Sequence, residues 1–181
     1  MREPRDDILL QRALGGDRDA LGAPASRHRD GIYSFARRML GDPDGALDAA
    51  QDTLLRAWTG LESFDPSRRF RPCLLAIAAN VCTDALRRRG RANPRRSEAT
   101  LASIPAPGPG PDEMPQAEGE VMRAPAHLSE TERAVVLLKH VHGLTYPEIA
   151  EATGMPVGTL KSHAHRARRK LAEALEGREE S

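Results

Sequence analysis

The side chains best suited to contacting another molecule lie between Val157 and Leu175, where hydroxyl, imidazole and guanidinium groups share one side of a predicted helix. Apolar residues from Leu160 to Leu171 recur at steps of three and four on the opposite side. The polar side carries Thr159, Ser162, His163, Arg166 and Arg169, with Lys161, Arg168 and Lys170 around it. Hydroxyls and guanidinium groups can hydrogen-bond base edges, and cations can neutralise phosphates. This pattern predicts a helix that contacts nucleic acid.

Two shorter helices are expected to position that helix. Ser129 with Glu132, and Thr145 with Glu148, have the S/T-x-x-E spacing of a capping box, so a helix should begin at each. Gly154 then ends the second helix, because glycine readily adopts the left-handed conformation that closes a helix. A short helix, a glycine turn and a basic helix form the helix-turn-helix pattern. The alternative, a solvated helix with a charged face, explains neither the capping boxes nor the turn.

The overall composition is less informative than the distribution of charge. The chain has 181 residues, 39% hydrophobic and 3% aromatic, with a net charge of +1. Basic residues cluster at 87–96 and 161–170, whereas acidic residues cluster at 112–120. Two separate basic clusters indicate two contacts with a polyanion.

No residue pattern indicates catalysis, a metal or a cofactor. His140 with His142, and His163 with His165, are two residues apart, so on a helix their side chains point away from each other and cannot chelate locally. No nucleophile motif or glycine-rich phosphate loop is present. The two cysteines are too few for a disulfide scaffold, and no apolar run approaches membrane-spanning length. We therefore expect a soluble cytoplasmic protein that has no membrane insertion and is not an enzyme.

The first half of the chain also shows helical periodicity. Helices are predicted at 5–14, 20–40, 44–60 and 70–89, with a break near Ala23 because Pro24 interrupts the second. In the third helix the residues predicted to face inward are Leu47, Ala50, Leu54, Ala57 and Trp58. The predicted fold is all-α: a four-helix unit at 5–91 and a helix-turn-helix domain at 127–176, joined at 92–126 by a flexible linker rich in proline, glycine and acid.

Three stretches, in this order, carry a family resemblance: DAAQDTLLRAWTGLESFD, FRPCLLAIAANVCTDALRRR and LTYPEIAEATGMPVGTLKSHAHRARRKL. Together they resemble the extracytoplasmic-function (ECF) sigma factors of bacterial RNA polymerase, with residues 5–91 as sigma region 2 and 127–176 as sigma region 4. The resemblance implies three partners: core RNA polymerase, through the clamp coiled coil of its largest subunit; promoter DNA; and an anti-sigma factor.

The resemblance also implies roles for individual residues. Those implied to dock on the polymerase are Asp48, Gln51, Asp52, Leu55 and Arg56. Those implied to open and hold the −10 element are Phe64, Arg68, Arg69, Arg71, Asn80, Arg87 and Arg88. Those implied to read the −35 element are Thr159, Lys161, Ser162, His163, Arg166 and Arg169. An aromatic side chain beside several cations suits an unpaired base and its phosphates.

Three positions depart from the family pattern. Cys73 stands where the family usually has tryptophan after F-R-x, and His163 stands where K-S-R is common. A neutral histidine makes one bond where arginine grips guanine with two, so the base preference should differ. Residues 22–25, Gly-Ala-Pro-Ala, replace a stretch that is usually apolar and helical.

Two other kinds of protein fit part of the sequence. A free-standing helix-turn-helix regulator would bind duplex DNA without polymerase and would not depend on Gln51 or Asp52. A protein-interaction module would be held mainly by an inhibitor and would co-purify with a small partner.

Overall fold

Seven α-helices make up most of the computed structural model, which describes residues 6–92 and 128–179. Their bounds are α1 Asp6–Leu14, α2 Gly22–Leu40, α3 Pro43–Thr59, α4 Phe70–Ala92, α5 Glu130–Val136, α6 Tyr146–Thr153 and α7 Val157–Glu179. Short 3-10 helices occur at Arg18–Leu21 and Leu61–Ser63, and a π-helical turn at Leu137–Val141 continues α5. No strand occurs in these two ranges, so the predicted all-α fold is confirmed there. The predicted linker lies outside the described residues except for Ala92.

Local signals determine where the first helices begin and end. The break predicted near Ala23 is not seen: α2 begins at Gly22, directly after the 3-10 helix that ends at Leu21, and it continues through Ala23. Pro24 thus falls in the first turn of α2, where its missing N–H costs no helical hydrogen bond. Gly41 ends α2 in the left-handed conformation, and Asp42 caps α3 by accepting a hydrogen bond from the backbone N–H of Gly45.

Small residues bring α3 close to α2 and α4, and this corrects one prediction. The buried side chains of α3 are Ala46, Ala49, Ala50 and Thr53. Leu47 and Trp58, which were predicted to face inward, are instead 45% and 39% exposed. The prediction weighted the large apolar side chains, whereas close packing of the helices requires the small ones.

The second half of the described chain has the predicted helix-turn-helix. Both predicted capping boxes are present, at Ser129 and Thr145. Gly154 has a positive φ of 73° and ends α6. The apolar stripe of α7 is buried at Leu160, Ala164, Ala167 and Leu171. The π-helical turn after α5 was not predicted.

The two halves pack against each other. Helix α4 contacts both α5 and α6, and α2 contacts α5. The buried guanidinium of Arg133 in α5 donates to the backbone carbonyl of Met39 in α2 over 2.8 Å. The imidazole of His142 lies against the ring of Phe35, with 5.5 Å between ring centroids. A single cluster of buried apolar side chains therefore spans both halves.

Within the described ranges no helix combines the length and the apolar character needed to cross a lipid bilayer.

Candidate nucleic-acid interface

The predicted −35 residues lie along the solvent-facing side of α7, and we call this set the α7 face. Its members are Thr159, Lys161, Ser162, His163, Arg166 and Arg169. All are exposed except His163, which is half-buried. The hydroxyl of Ser162 donates to the carbonyl of Gly158 over 2.9 Å, so it is partly engaged by its own helix. Arg166 Nη2 lies 2.9 Å from Nδ1 of His163, which places these two side chains as one unit on the helix surface.

A buried carboxylate of α5 contacts two basic side chains of α7. The side chain of Glu132 in α5 is only 5% exposed and accepts a 2.8 Å hydrogen bond from Lys170. Its other oxygen lies 3.5 Å from Nε of Arg166. Burial alone would raise the pKa of Glu132, but hydrogen bonds from Lys170 and from the backbone of Ser129 lower it overall. Glu132 is therefore charged at neutral pH and helps to fix Arg166. Sequence reasoning assigned it only to the capping box.

The predicted docking residues form a second surface, the α3 face, consisting of Asp48, Gln51, Asp52, Leu55 and Arg56. Asp52 and Arg56 form an ion pair of 3.0 Å along the helix. Leu55 is 61% exposed, and the misassigned Leu47 and Trp58 lie on this outer side too. Large apolar side chains exposed together are typical of a protein-binding surface. The sequence could have indicated this orientation, because the small side chains of α3 recur on one side of the helix and the large ones on the other.

The predicted −10 residues form two groups, which together we call the loop–α4 surface. One group, near the start of α4, comprises Phe64, Arg68, Arg69 and Arg71. The other, farther along α4, comprises Asn80, Arg87 and Arg88, all exposed. By helix rise, Arg71 and Arg88 are roughly 25 Å apart. The two groups are therefore far enough apart to contact several successive phosphates of one nucleic-acid strand.

An open cavity of about 380 Å³ lies at the first group. Phe64 and Arg68 line it, together with Arg56 of α3 and Cys73 of α4. Phe64 is half-buried and packs edge-on against Phe70, with ring centroids 5.9 Å apart. Burial raises the pKa of the Cys73 thiol, so this thiol is protonated at neutral pH. The cavity therefore offers an aromatic side chain and two guanidinium groups. Sequence reasoning did not place Arg56 there.

Three arginines of this surface contact the second half of the chain. Arg68 donates to the carbonyl of Glu151 over 3.1 Å, and Arg71 donates to the carbonyl of His142 over 2.8 Å. Arg69 pairs with the carboxylate of Glu148 over 2.8 Å. These contacts join residues far apart in sequence and were not predicted.

Histidine, cysteine and acidic side chains were the candidates for a metal site. No group of three or more histidine, cysteine or acidic side chains is placed to hold a metal ion within residues 6–92 and 128–179. Both cysteines are free, and burial raises the pKa of Cys82 to about 12. The surfaces described above offer hydrogen bonding, charge and apolar contact.

Comparisons with protein families match both halves of the chain. Residues 25–92 match the model for sigma-70 region 2, and residues 118–171 match the model for sigma-70, region 4. The ECF RNA polymerase sigma factor SigW of Bacillus subtilis is 31% identical over 176 residues, which cover 92% of this chain and 94% of SigW. The RNA polymerase sigma factor CnrH of Cupriavidus metallidurans is 31% identical over 184 residues, covering 96% of each chain.

Solved structures share the fold. CnrH in complex with the cytosolic domain of CnrY is 28% identical with a TM-score of 0.64, and the match covers 95% of this chain and 97% of CnrH. The sigma factor RpoE, in complex with the anti-sigma factor NepR from Bartonella quintana, is 27% identical with a TM-score of 0.68. That match covers 86% of this chain and 96% of RpoE.

Proposed function

The chain belongs to the ECF sigma factors of bacterial RNA polymerase, and from this we infer that it binds core polymerase and directs promoter-specific transcription initiation. Its contribution is to position DNA and hold unpaired bases, while bond formation stays with the polymerase. It is therefore a binding subunit and not an enzyme, and it acts in the cytoplasm where polymerase is found.

The outward side of α3 is the observation that carries this proposal. Leu55 is 61% exposed and Trp58 39% exposed, and the acidic side chains of Asp48 and Asp52 lie on the same helix. Such a surface is typical of protein binding, and duplex binding by a helix-turn-helix alone does not require it. We assign the α3 face to the clamp coiled coil of the largest polymerase subunit.

The loop–α4 surface is assigned to the −10 element. An unpaired base entering the cavity would meet the side chain of Phe64, and Arg56 and Arg68 would lie beside its phosphates. Arg87 and Arg88 continue the cationic track along α4. The arrangement suits a single strand better than a duplex, because a base must leave the stack to reach the cavity.

The α7 face is assigned to the −35 element. The start of the second helix of a helix-turn-helix enters the major groove, which places Ser162, His163 and Arg166 near base edges. Thr159, Lys161 and Arg169 would contact the backbone. The pairing of Arg166 with His163 supports a combined reading of adjacent bases by these two side chains.

An anti-sigma factor is the remaining partner. In a solved structure of similar fold, the sigma factor RpoE is bound to the anti-sigma factor NepR. We propose a similar inhibitor for this chain, with the exposed apolar side chains of α3 as part of its contact.

Run-off transcription with core polymerase tests the proposal. The template is a promoter chosen by sequencing the 5′ ends of transcripts induced by overexpression. We expect specific initiation that Asp52→Arg abolishes and that Asp30→Arg, a matched charge reversal on exposed α2 surface, leaves intact. If the unmodified chain binds the promoter duplex but gives no transcript with core polymerase, the sigma-factor assignment is wrong and a free-standing regulator is correct.

A further inference from the structure

The second half of the chain occupies part of the loop–α4 surface. Three consecutive contacts cross between the halves, from Arg68 to Glu151, from Arg69 to Glu148 and from Arg71 to His142. Two of the acceptors are backbone carbonyl oxygens and the third is a carboxylate oxygen. Ala152 also forms part of the cavity wall. All four residues lie in the segment 142–152, which includes α6.

The chemistry of these contacts resembles that of a nucleic-acid backbone. Phosphates offer arginine a row of oxygen acceptors, and arginine binds them through the same N–H donors that it uses for carboxylates. Segment 142–152 presents such a row to Arg68, Arg69 and Arg71. A single DNA strand and this segment thus require the same donors.

We propose that segment 142–152 is an intramolecular competitor of single-stranded promoter DNA for the loop–α4 surface. The inference rests on the proposed function, since it concerns the surface assigned to the −10 element. In the arrangement described here these three arginines already donate hydrogen bonds to acceptors of the second half. The −10 strand binds only when the second half moves away from α4, so docking on polymerase has to separate the two halves before melting can be completed.

Contacts around the arginines hold the competitor in place. Arg133 and Met39 are joined by a buried hydrogen bond of 2.8 Å between α5 and α2. His142 packs on Phe35, and the apolar cluster is continuous across the two halves. The Arg69–Glu148 pair is more exposed, at 80% for the arginine side chain. This pair can therefore be altered without disturbing the core, and it offers the cleanest test.

Competition of this kind lowers the apparent affinity for DNA. When only a fraction of the molecules is open, the apparent dissociation constant is the intrinsic one divided by that fraction. A substitution that weakens closure should tighten binding of the strand even though it removes a contact and adds none.

Glu148→Gln is the informative variant. Glutamine preserves the capping box with Thr145 but removes the charge that pairs with Arg69. We expect the full-length variant to bind a fluorescein-labelled −10 non-template strand about two- to fivefold more tightly than the unmodified chain in anisotropy titrations. Asp30→Asn, which removes one exposed negative charge elsewhere, controls for net charge and should bind like the unmodified chain. Equal affinities for all three proteins would overturn the proposal.

A second measurement on the unmodified chain does not depend on the folding of any variant. Small-angle X-ray scattering should show a larger radius of gyration when the chain is saturated with the −10 strand. A radius that stays constant at saturation would mean that DNA and segment 142–152 do not compete. Run-off transcription separates the two proposals: transcription without expansion contradicts the competitor alone, whereas expansion without transcription contradicts the sigma-factor assignment alone.

Discussion

The charge state of His142 depends on the packing of the two halves. Its Nε2 is buried without a hydrogen-bond partner. Burial, together with the positive charges of the nearby Arg71 and Arg38, lowers the pKa of His142 to about 4. In the unfolded chain the ordinary value is 6.5. The folded state therefore binds fewer protons than the unfolded state between these values.

From this we predict a loss of stability on mild acidification. The contribution of neutral His142 is complete above pH 6.5 and falls as the pH decreases towards 4. The free energy of unfolding should fall by up to about 1.4 kcal/mol per pH unit within that window, as measured by urea denaturation. Glu148 and Glu132 have lowered pKa values, so the stability that they contribute is lost as the pH falls through 4.5, and they do not account for a loss near pH 6. The variant His142→Gln should have a flatter profile, and an unchanged profile would contradict the assignment.

A second residue-scale prediction concerns Glu132, which supports Arg166. Glu132→Gln keeps the capping box with Ser129 but removes the negative charge beside Arg166 and Lys170. Arg166 should then be less well fixed, and discrimination between cognate and mismatched −35 duplexes should fall. A complete bidentate contact between arginine and a base gives roughly fivefold or greater discrimination. The loss of discrimination in Glu132→Gln should be smaller than this, because Arg166 itself is still present. Competition binding with the cognate and mismatched duplexes measures this discrimination. Glu173→Gln, at an exposed partner of Arg169, is the control, and equal discrimination by both variants would exclude this role.

At the scale of the element, Asp42 determines where α3 begins. It caps the helix through the N–H of Gly45 and also pairs with Arg89 of α4 over 2.6 Å. Burial opposes ionisation of Asp42, but its contacts with Gly45 and Arg89 lower its pKa overall. We expect Asp42→Ala to reduce the free energy of unfolding by about 0.5–2 kcal/mol in urea denaturation. Asp44→Ala, an exposed substitution in the same first turn, should cost less, and equal losses would show that the cap is unimportant.

The helix ends of this protein are predictable from sequence, whereas the orientation of α3 is not. Capping boxes at Ser129 and Thr145 act within four residues, so they can be read from a short window. The rotation of α3 depends on which side of it fits against α2 and α4, and small side chains such as Ala46 fit there better than Leu47. Hydrophobicity alone does not carry that information.

Contacts between the halves were harder still to predict. The hydrogen bonds of Arg71 and Arg68 with the second half join residues 71 and 83 positions apart. The resemblance to ECF sigma factors led to the −10 assignment of these cationic side chains. It does not show that carbonyl oxygens of α6 and the preceding turn already accept from them. The residues of the candidate site were thus predictable from sequence, but the contacts that the second half makes with them were not.

At the scale of the whole molecule, the shared apolar cluster bears on how the chain unfolds. Buried side chains from both halves form one cluster, and it includes Phe35 of α2 and Leu137 after α5. Two halves that share a core should unfold together, whereas two independent domains would unfold separately. Trp58 is the sole tryptophan and reports on the first half, whereas far-ultraviolet circular dichroism reports on helices in both.

We therefore predict that urea unfolding followed by Trp58 fluorescence and by circular dichroism gives coincident curves. The buried bond from Arg133 to Met39 should be required for this, because breaking it leaves the Met39 carbonyl without that donor. In Arg133→Met the long apolar stem is kept and a buried charge is removed, so the second half retains its own packing. Its curves should separate, with circular dichroism changing at the lower urea concentration. Separate curves in the unmodified chain would mean that the halves fold independently, and the closed arrangement would then be too weak to compete with DNA.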